Sequence, residues 1–152
     1  MYKRLEFFAF LLVLLIGAAT TQAQQHPCSI EGVAIDGYDL ISYHQPDAPS
    51  KGAPEHAVTH QGSIYHFVDA GNKALFEADP DKYLPVYRGW CAATLSMGRL
   101  VCPDYTNFKL ENGHLLFFEL AGFTNGRTLW NSDPKGFRQR ADENALKLLK
   151  PQ

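Results

Sequence analysis

The chain has 152 residues, 14 of them Lys or Arg and 16 Asp or Glu, and 45% are hydrophobic, which is ordinary globular composition for a single domain with one closed core. A formal net charge of −2 without any cluster of Lys or Arg leaves no electrostatic footprint for nucleic acid. No charge block, low-complexity linker or internal repeat is visible in the sequence.

The chain opens MYKRLE, continues FFAFLLVLLIGAA and turns polar at TTQAQ, the charged, apolar and small-residue order of a secretory leader. The apolar run from Phe7 to Ala19 is shorter than the about 20 residues that a membrane helix needs. Small residues at Thr21 and Ala23 place cleavage after Ala23; left uncleaved, the run would act as an anchor. The expected division is a signal peptide over 1–23, a mature N-terminal segment over 24–31 and a domain over 32–149, exported to a periplasmic or secreted location with no membrane anchor after signal cleavage. Taking Lys3, Arg4 and Glu6 from the 14 basic and 16 acidic residues leaves 12 and 15.

Along the mature chain, Gly37-Tyr38-Asp39 is a turn, with the short Asp39 carboxylate bracing it, and Leu40 to Tyr43 a short strand. Residues 44–56, rich in Pro, Gly and Ser, read as one exposed loop. Residues 58–67 read as a hairpin around Gln61-Gly62. Ala74, Leu75 and Phe76 lie on a helix that Pro80 ends, with a further turn at Asp81-Lys82-Tyr83. Residues 91–102 are expected as a second hairpin with Leu95-Ser96-Met97-Gly98 as its loop. Residues 108–118 form another around Glu111-Asn112-Gly113, since Asn-Gly is a strong hairpin signal. Asp133-Pro134 opens a final helix on which Phe137, Ala141, Ala145 and Leu148 keep a three-to-four-residue spacing. Hairpins with helices inserted and appended make an α+β fold with a small antiparallel β-sheet.

Outside the cytosol, cysteines tend to pair, and there are three. The expected 91–102 hairpin sets Cys91 opposite Cys102, within reach of a disulfide. A one-residue slip would send the two side chains to opposite faces. A Cys91–Cys102 bond, an unbridged Cys91 and a pairing that uses Cys28 therefore all stand open.

Several motifs then fall in one order: GYDLISYH, VTHQGSIYHF, ALFEADPDKYLPVYRGWCA, FKLENGHLLFF and LWNSDP. In that order they resemble the exported members of the YHS-domain family, from about Gly32 to Leu149. The resemblance implies a small metal-associated module, with copper as the metal, because members attached to copper-pumping ATPases hold metal through a Tyr-x-Phe-Cys-x-x-x-Cys pattern. Here the two cysteine positions of that pattern carry Val68 and Asn72, so the thiolate site is not carried over. Cys91 matches the cysteine of the exported branch, with Trp90 in place of its usual Tyr and Arg88 in place of a Gly.

A replacement ligand set would be Cys91 with His66 and His60 from the neighbouring hairpin, since thiolate and imidazole suit copper or zinc. His26 lies beside Cys28 near the expected new N-terminus, whereas His44, His56 and His114 read as loop residues. Three function classes follow: an exported metal (copper) binding module with a metal ion as partner, a structural or interaction domain braced by Cys91–Cys102, and a thiol-dependent enzyme pairing Cys91 with His66 and Asp69 or Asp39. The last has no catalytic signature around Cys91, and the sequence names no protein partner.

Overall fold

A computed structural model describes residues 28–47 and 49–149. The expected leader and most of segment 24–31 lie outside the described residues. The two best-formed elements are β-hairpins. β1 (Ala53–His60) pairs with β2 (Ser63–Phe67), and β3 (Asp104–Glu111) pairs with β4 (His114–Phe118), both antiparallel. Their two-residue turns, Gln61-Gly62 and Asn112-Gly113, have positive φ throughout, the backbone that a tight hairpin with right-handed twist requires. A third, minimal ribbon pairs β5 (Leu120–Ala121) with β6 (Thr124–Asn125).

Helices fill the gaps. Asp69 caps α1 (Ala70–Ala78) by accepting the Asn72 N–H, and Pro80 opens the short α2 (Pro80–Tyr83). Asn125 caps α4 (Gly126–Ser132), and Asp133-Pro134 opens α5 (Pro134–Leu148), as the sequence predicts. Phe137 and Ala141 of α5 are buried, whereas Leu148 is largely outside the core.

The fold is α+β, with four corrections to its detail. The hairpins form separate two-stranded sheets. Leu40 to Tyr43 is not a strand: the buried stretch runs into a single 3-10 turn, Ser42–His44. The Pro/Gly-rich loop ends early, because Ala53 already joins β1 opposite Phe67.

The fourth correction matters most. Residues 91–102 do not form a hairpin: Cys91 caps a short helix, α3 (Ala92–Ser96). Alanine favours helix over strand, and the Thr94 and Ser96 hydroxyls donate back to the carbonyls of Cys91 and Ala93. Gly98, expected in a hairpin loop, sits at φ 75° just past the helix end. There its N–H meets Leu95 O and the Arg99 N–H meets Thr94 O, the paired bonds of a glycine-closed helix C-terminus.

Strand β4 separates two apolar clusters. Leu115 and Phe117 face one side with Tyr43, Tyr65, Phe67 and Phe76. Leu116 and Phe118 face the other with Cys91, Leu95, Trp130 and Phe137. Strand alternation sorts the four residues, and all four are buried.

Candidate functional site

The cysteines pair otherwise than the sequence-based hairpin expects. Cys28 and Cys102 form a disulfide with Cα atoms 5.7 Å apart, and Cys91 is free and buried. The physical reason is α3: with Cys91 at the cap of a helix, the register that would have set it opposite Cys102 does not exist. The disulfide instead ties the beginning of the described chain to the segment entering β3. Backbone bonds fix that beginning further, with Ile30 and Val33 bonded reciprocally and Ile64 N–H on Gly32 O.

Cys91 lies within the second core cluster at 0% exposure. Its Sγ accepts the Glu119 N–H at 3.1 Å and the Thr94 N–H at 3.5 Å. The thiol is thus sealed from solvent and engaged by two backbone donors.

The expected ligand set of Cys91, His66 and His60 is not brought together. His60 pairs across the hairpin with Ser63, so it shares a face with Tyr65 and Phe67, and its ring stands edge-on to Phe76 at 5.6 Å, as theirs also meet Phe76. His66 lies on the opposite face, its Nδ1 3.6 Å from where a Cβ on Gly37 would stand. The two imidazoles face apart, and Cys91 belongs to the other core cluster. Among the described residues no three His, Cys, Asp or Glu side chains form a group fit to hold a metal ion. The family's metal pattern fares no better, since the Asn72 amide donates to Asp39 Oδ2 at 2.7 Å and Val68 offers no ligand atom. These residues do not fit a copper centre.

The thiol-enzyme constellation is not assembled either. Asp39, 0% exposed, accepts four bonds: Oδ1 from the Ile41 and Ser42 N–H groups, Oδ2 from Val68 N–H and Asn72 Nδ2. Its carboxylate braces the Gly-Tyr-Asp turn as the sequence predicts, and its acceptor positions are filled by structure. Asp69 is occupied as the α1 cap.

What the fold does present is an open depression of about 570 Å³ beside the disulfide, whose walls include Ile30, Tyr38, Pro103, Asp36 and Asp104. At its rim Lys51 Nζ sits 3.9 Å from the centre of the Tyr38 ring and bonds the Asp36 carboxylate at 2.8 Å. A carboxylate beside an aromatic face is a setting that holds an ammonium group. The sequence signals for this place were single residues, Asp36 and Tyr38 around a glycine turn and Cys102-Pro103-Asp104 far away in the chain. The disulfide and the Tyr43 hydroxyl, which donates to Tyr105 O at 2.9 Å, bring the two segments together.

A second polar cluster braces the other half. Glu111 bonds Arg138 at 2.5 Å, Lys109 at 3.0 Å and Trp130 Nε1 at 3.2 Å. Burial pushes its carboxyl up, but these three donors outweigh it and hold the group down at about 2. The Arg138 guanidinium lies over the rings of Trp130 and Tyr87 at 5.4 and 5.9 Å. His44, edge-on to Tyr83, has its pKa lowered by burial and then by Lys82. No helix among the described residues is long and apolar enough to cross a membrane. Compared with known proteins, the chain matches no family model, no curated protein and no solved structure.

Proposed function

We propose that the protein is an exported, YHS-like interaction module braced by Cys28–Cys102, which binds through the depression beside that disulfide and uses no thiolate chemistry. The observation that carries this reading is how the cysteines are used. Two are joined in a covalent staple, a bond that persists in oxidising compartments outside the cytosol. The third is buried with its sulfur accepting two backbone N–H bonds. A thiolate metal site or a thiol enzyme needs an accessible thiolate; a binding module needs a rigid, exposed wall, and the staple supplies one. Asp36, Asp104 and the Tyr38 ring suit a basic group on the partner, which takes over the place that Lys51 holds on Asp36 and Tyr38 in the free protein.

Titration of isotope-labelled, oxidised protein with a lysine- and arginine-rich peptide tests the reading. The amides of Tyr38, Asp104 and Thr106 are expected to shift saturably, and the response to fall at least tenfold in the Asp36→Asn, Asp104→Asn double variant. Shifts that ignore the double variant, or stoichiometric copper binding lost in Cys91→Ser, would overturn it.

A further inference from the structure

We infer that the chain is built from two copies of one structural unit, beginning at Ala34 and Val86, and that Cys91 holds in the second the place that Asp39 holds in the first.

The correspondence starts in the backbone. Ile35, Asp36 and Gly37 have φ of 55°, 49° and 71°; Tyr87, Arg88 and Gly89 have 57°, 53° and 78°. A run of two non-glycine residues in the left-handed region is rare, and the described residues contain it twice, 52 positions apart. Each run is followed by an extended aromatic, Tyr38 or Trp90, whose N–H returns to the carbonyl of Ile35 or Tyr87. Next come Asp39 and Cys91, whose own N–H groups bond Ser50 O at 2.9 Å and Val101 O at 3.0 Å. Both side chains then accept the N–H three residues on, from Ser42 and from Thr94.

The hairpins repeat the match at a spacing of 51. Each has an eight-residue strand, a two-residue turn and a five-residue strand. Each begins with an outlying pair, Ala53 with Phe67 and Asp104 with Phe118, followed by a break in register. The first residue beyond each hairpin donates its N–H back to the same hub: Val68 to Asp39 Oδ2 at 2.8 Å, Glu119 to Cys91 Sγ at 3.1 Å. A capped helix follows in both halves. Each helix ends at an aspartate, Asp79 (φ −154°, ψ 75°) or Asp133 (φ −154°, ψ 71°), and a proline opens the next. The β5–β6 ribbon, with Phe123 fully exposed at its tip, has no counterpart in the first half and is an insertion into the second.

The equivalence gives Cys91 a role. In both units one buried acceptor ties a left-handed turn, a helix start and a hairpin exit together. A carboxylate with four donors does this in the first half, and a sulfur with two does it in the second. Cys91 is therefore a positioning residue, required for the acceptor it presents, and this holds whether or not the depression binds a basic partner.

Amide hydrogen exchange on the full mature chain tests the inference, because protection reports each donor separately. In the wild-type protein the Val68 and Glu119 amides should both exchange at least a hundredfold more slowly than an open loop. Cys91→Ser keeps an acceptor and should change the Glu119 rate less than tenfold. Cys91→Ala should accelerate Glu119 at least tenfold relative to its neighbours while leaving Val68 unchanged. An unprotected Glu119 amide in the wild type, or Ser and Ala variants with the same Glu119 protection, would overturn the assignment. The wild-type and Cys91→Ser measurements decide it even where Cys91→Ala is too unstable to fold.

Discussion

Removing the Cys28–Cys102 disulfide is the perturbation whose size follows most directly from the structure. The bond closes a loop with a sequence separation of 74. The chain-entropy relation for a loop of that length gives about 4 kcal/mol of stabilisation at 25 °C, through restriction of the unfolded ensemble. Against a total stability of about 5–15 kcal/mol for a domain of this size, that is a large fraction. Urea unfolding followed by tryptophan fluorescence reads the loss, since Trp130 is buried among Phe118 and Phe137. With a slope of about 2 kcal/mol per molar urea, the midpoint should fall by about 2 M. Cys28→Ser, Cys102→Ser and the double variant should all lose the same amount, because each breaks one and the same bond. A stable Cys28→Ser variant alongside a damaged Cys102→Ser variant would refute the reasoning, because it would mean that Cys102 draws its stabilisation from another partner.

Three further outcomes follow from named contacts. Glu111 is held at about 2 in the folded protein against 4.5 unfolded, so its contribution is fully present above pH 4.5 and is lost as the pH falls towards 2. It is worth at most about 3 kcal/mol, and acid unfolding of Glu111→Gln should show a shallower loss over that window. His44 has a lowered pKa, so the unfolded chain binds a proton first and stability declines as the pH drops below about 6.5, with a slope of up to about 1.4 kcal/mol per pH unit. Thermal melts of His44→Gln between pH 7 and 5 should lack that component. Gly52→Ala would drive a Cβ into the backbone of His66 and Phe67, and a clash with backbone should cost about 3 kcal/mol or more in the same urea assay.

What could be read from the sequence was local. Gln61-Gly62 and Asn112-Gly113 announce their hairpins because few residue pairs accept positive φ in succession. Asp133-Pro134 announces α5 because proline at the first helical position has no N–H to waste. Asp39 could be read as a turn brace for the same kind of reason. Residues 91–102 defeated the reading because a glycine after a short apolar run closes a hairpin or a helix equally well, and the alanines that decide for helix carry a weak signal. Cysteine pairing was illegible because the bond spans most of the domain, and no local register foretells it. The duplication is not legible in the sequence because the two halves share backbone geometry with few side chains: Asp39 faces Cys91 in the correspondence, and Ile35 faces Tyr87. The copper expectation rested on residue types, and hairpin pleating sends two of its three ligands, His60 and His66, to opposite faces.

Which cysteines are joined decides how this molecule works, and a non-reducing tryptic map answers this in one experiment. Cleavage after Lys51, Arg88, Arg99 and Lys109 isolates Cys28, Cys91 and Cys102 on separate peptides. With thiols alkylated before and after denaturation, the expected result is a cross-link between the peptide ending at Lys51 and peptide 100–109, together with peptide 89–99 labelled at Cys91 only after unfolding. Peptide 89–99 cross-linked to 100–109, or Cys91 labelled in the native protein, would contradict it.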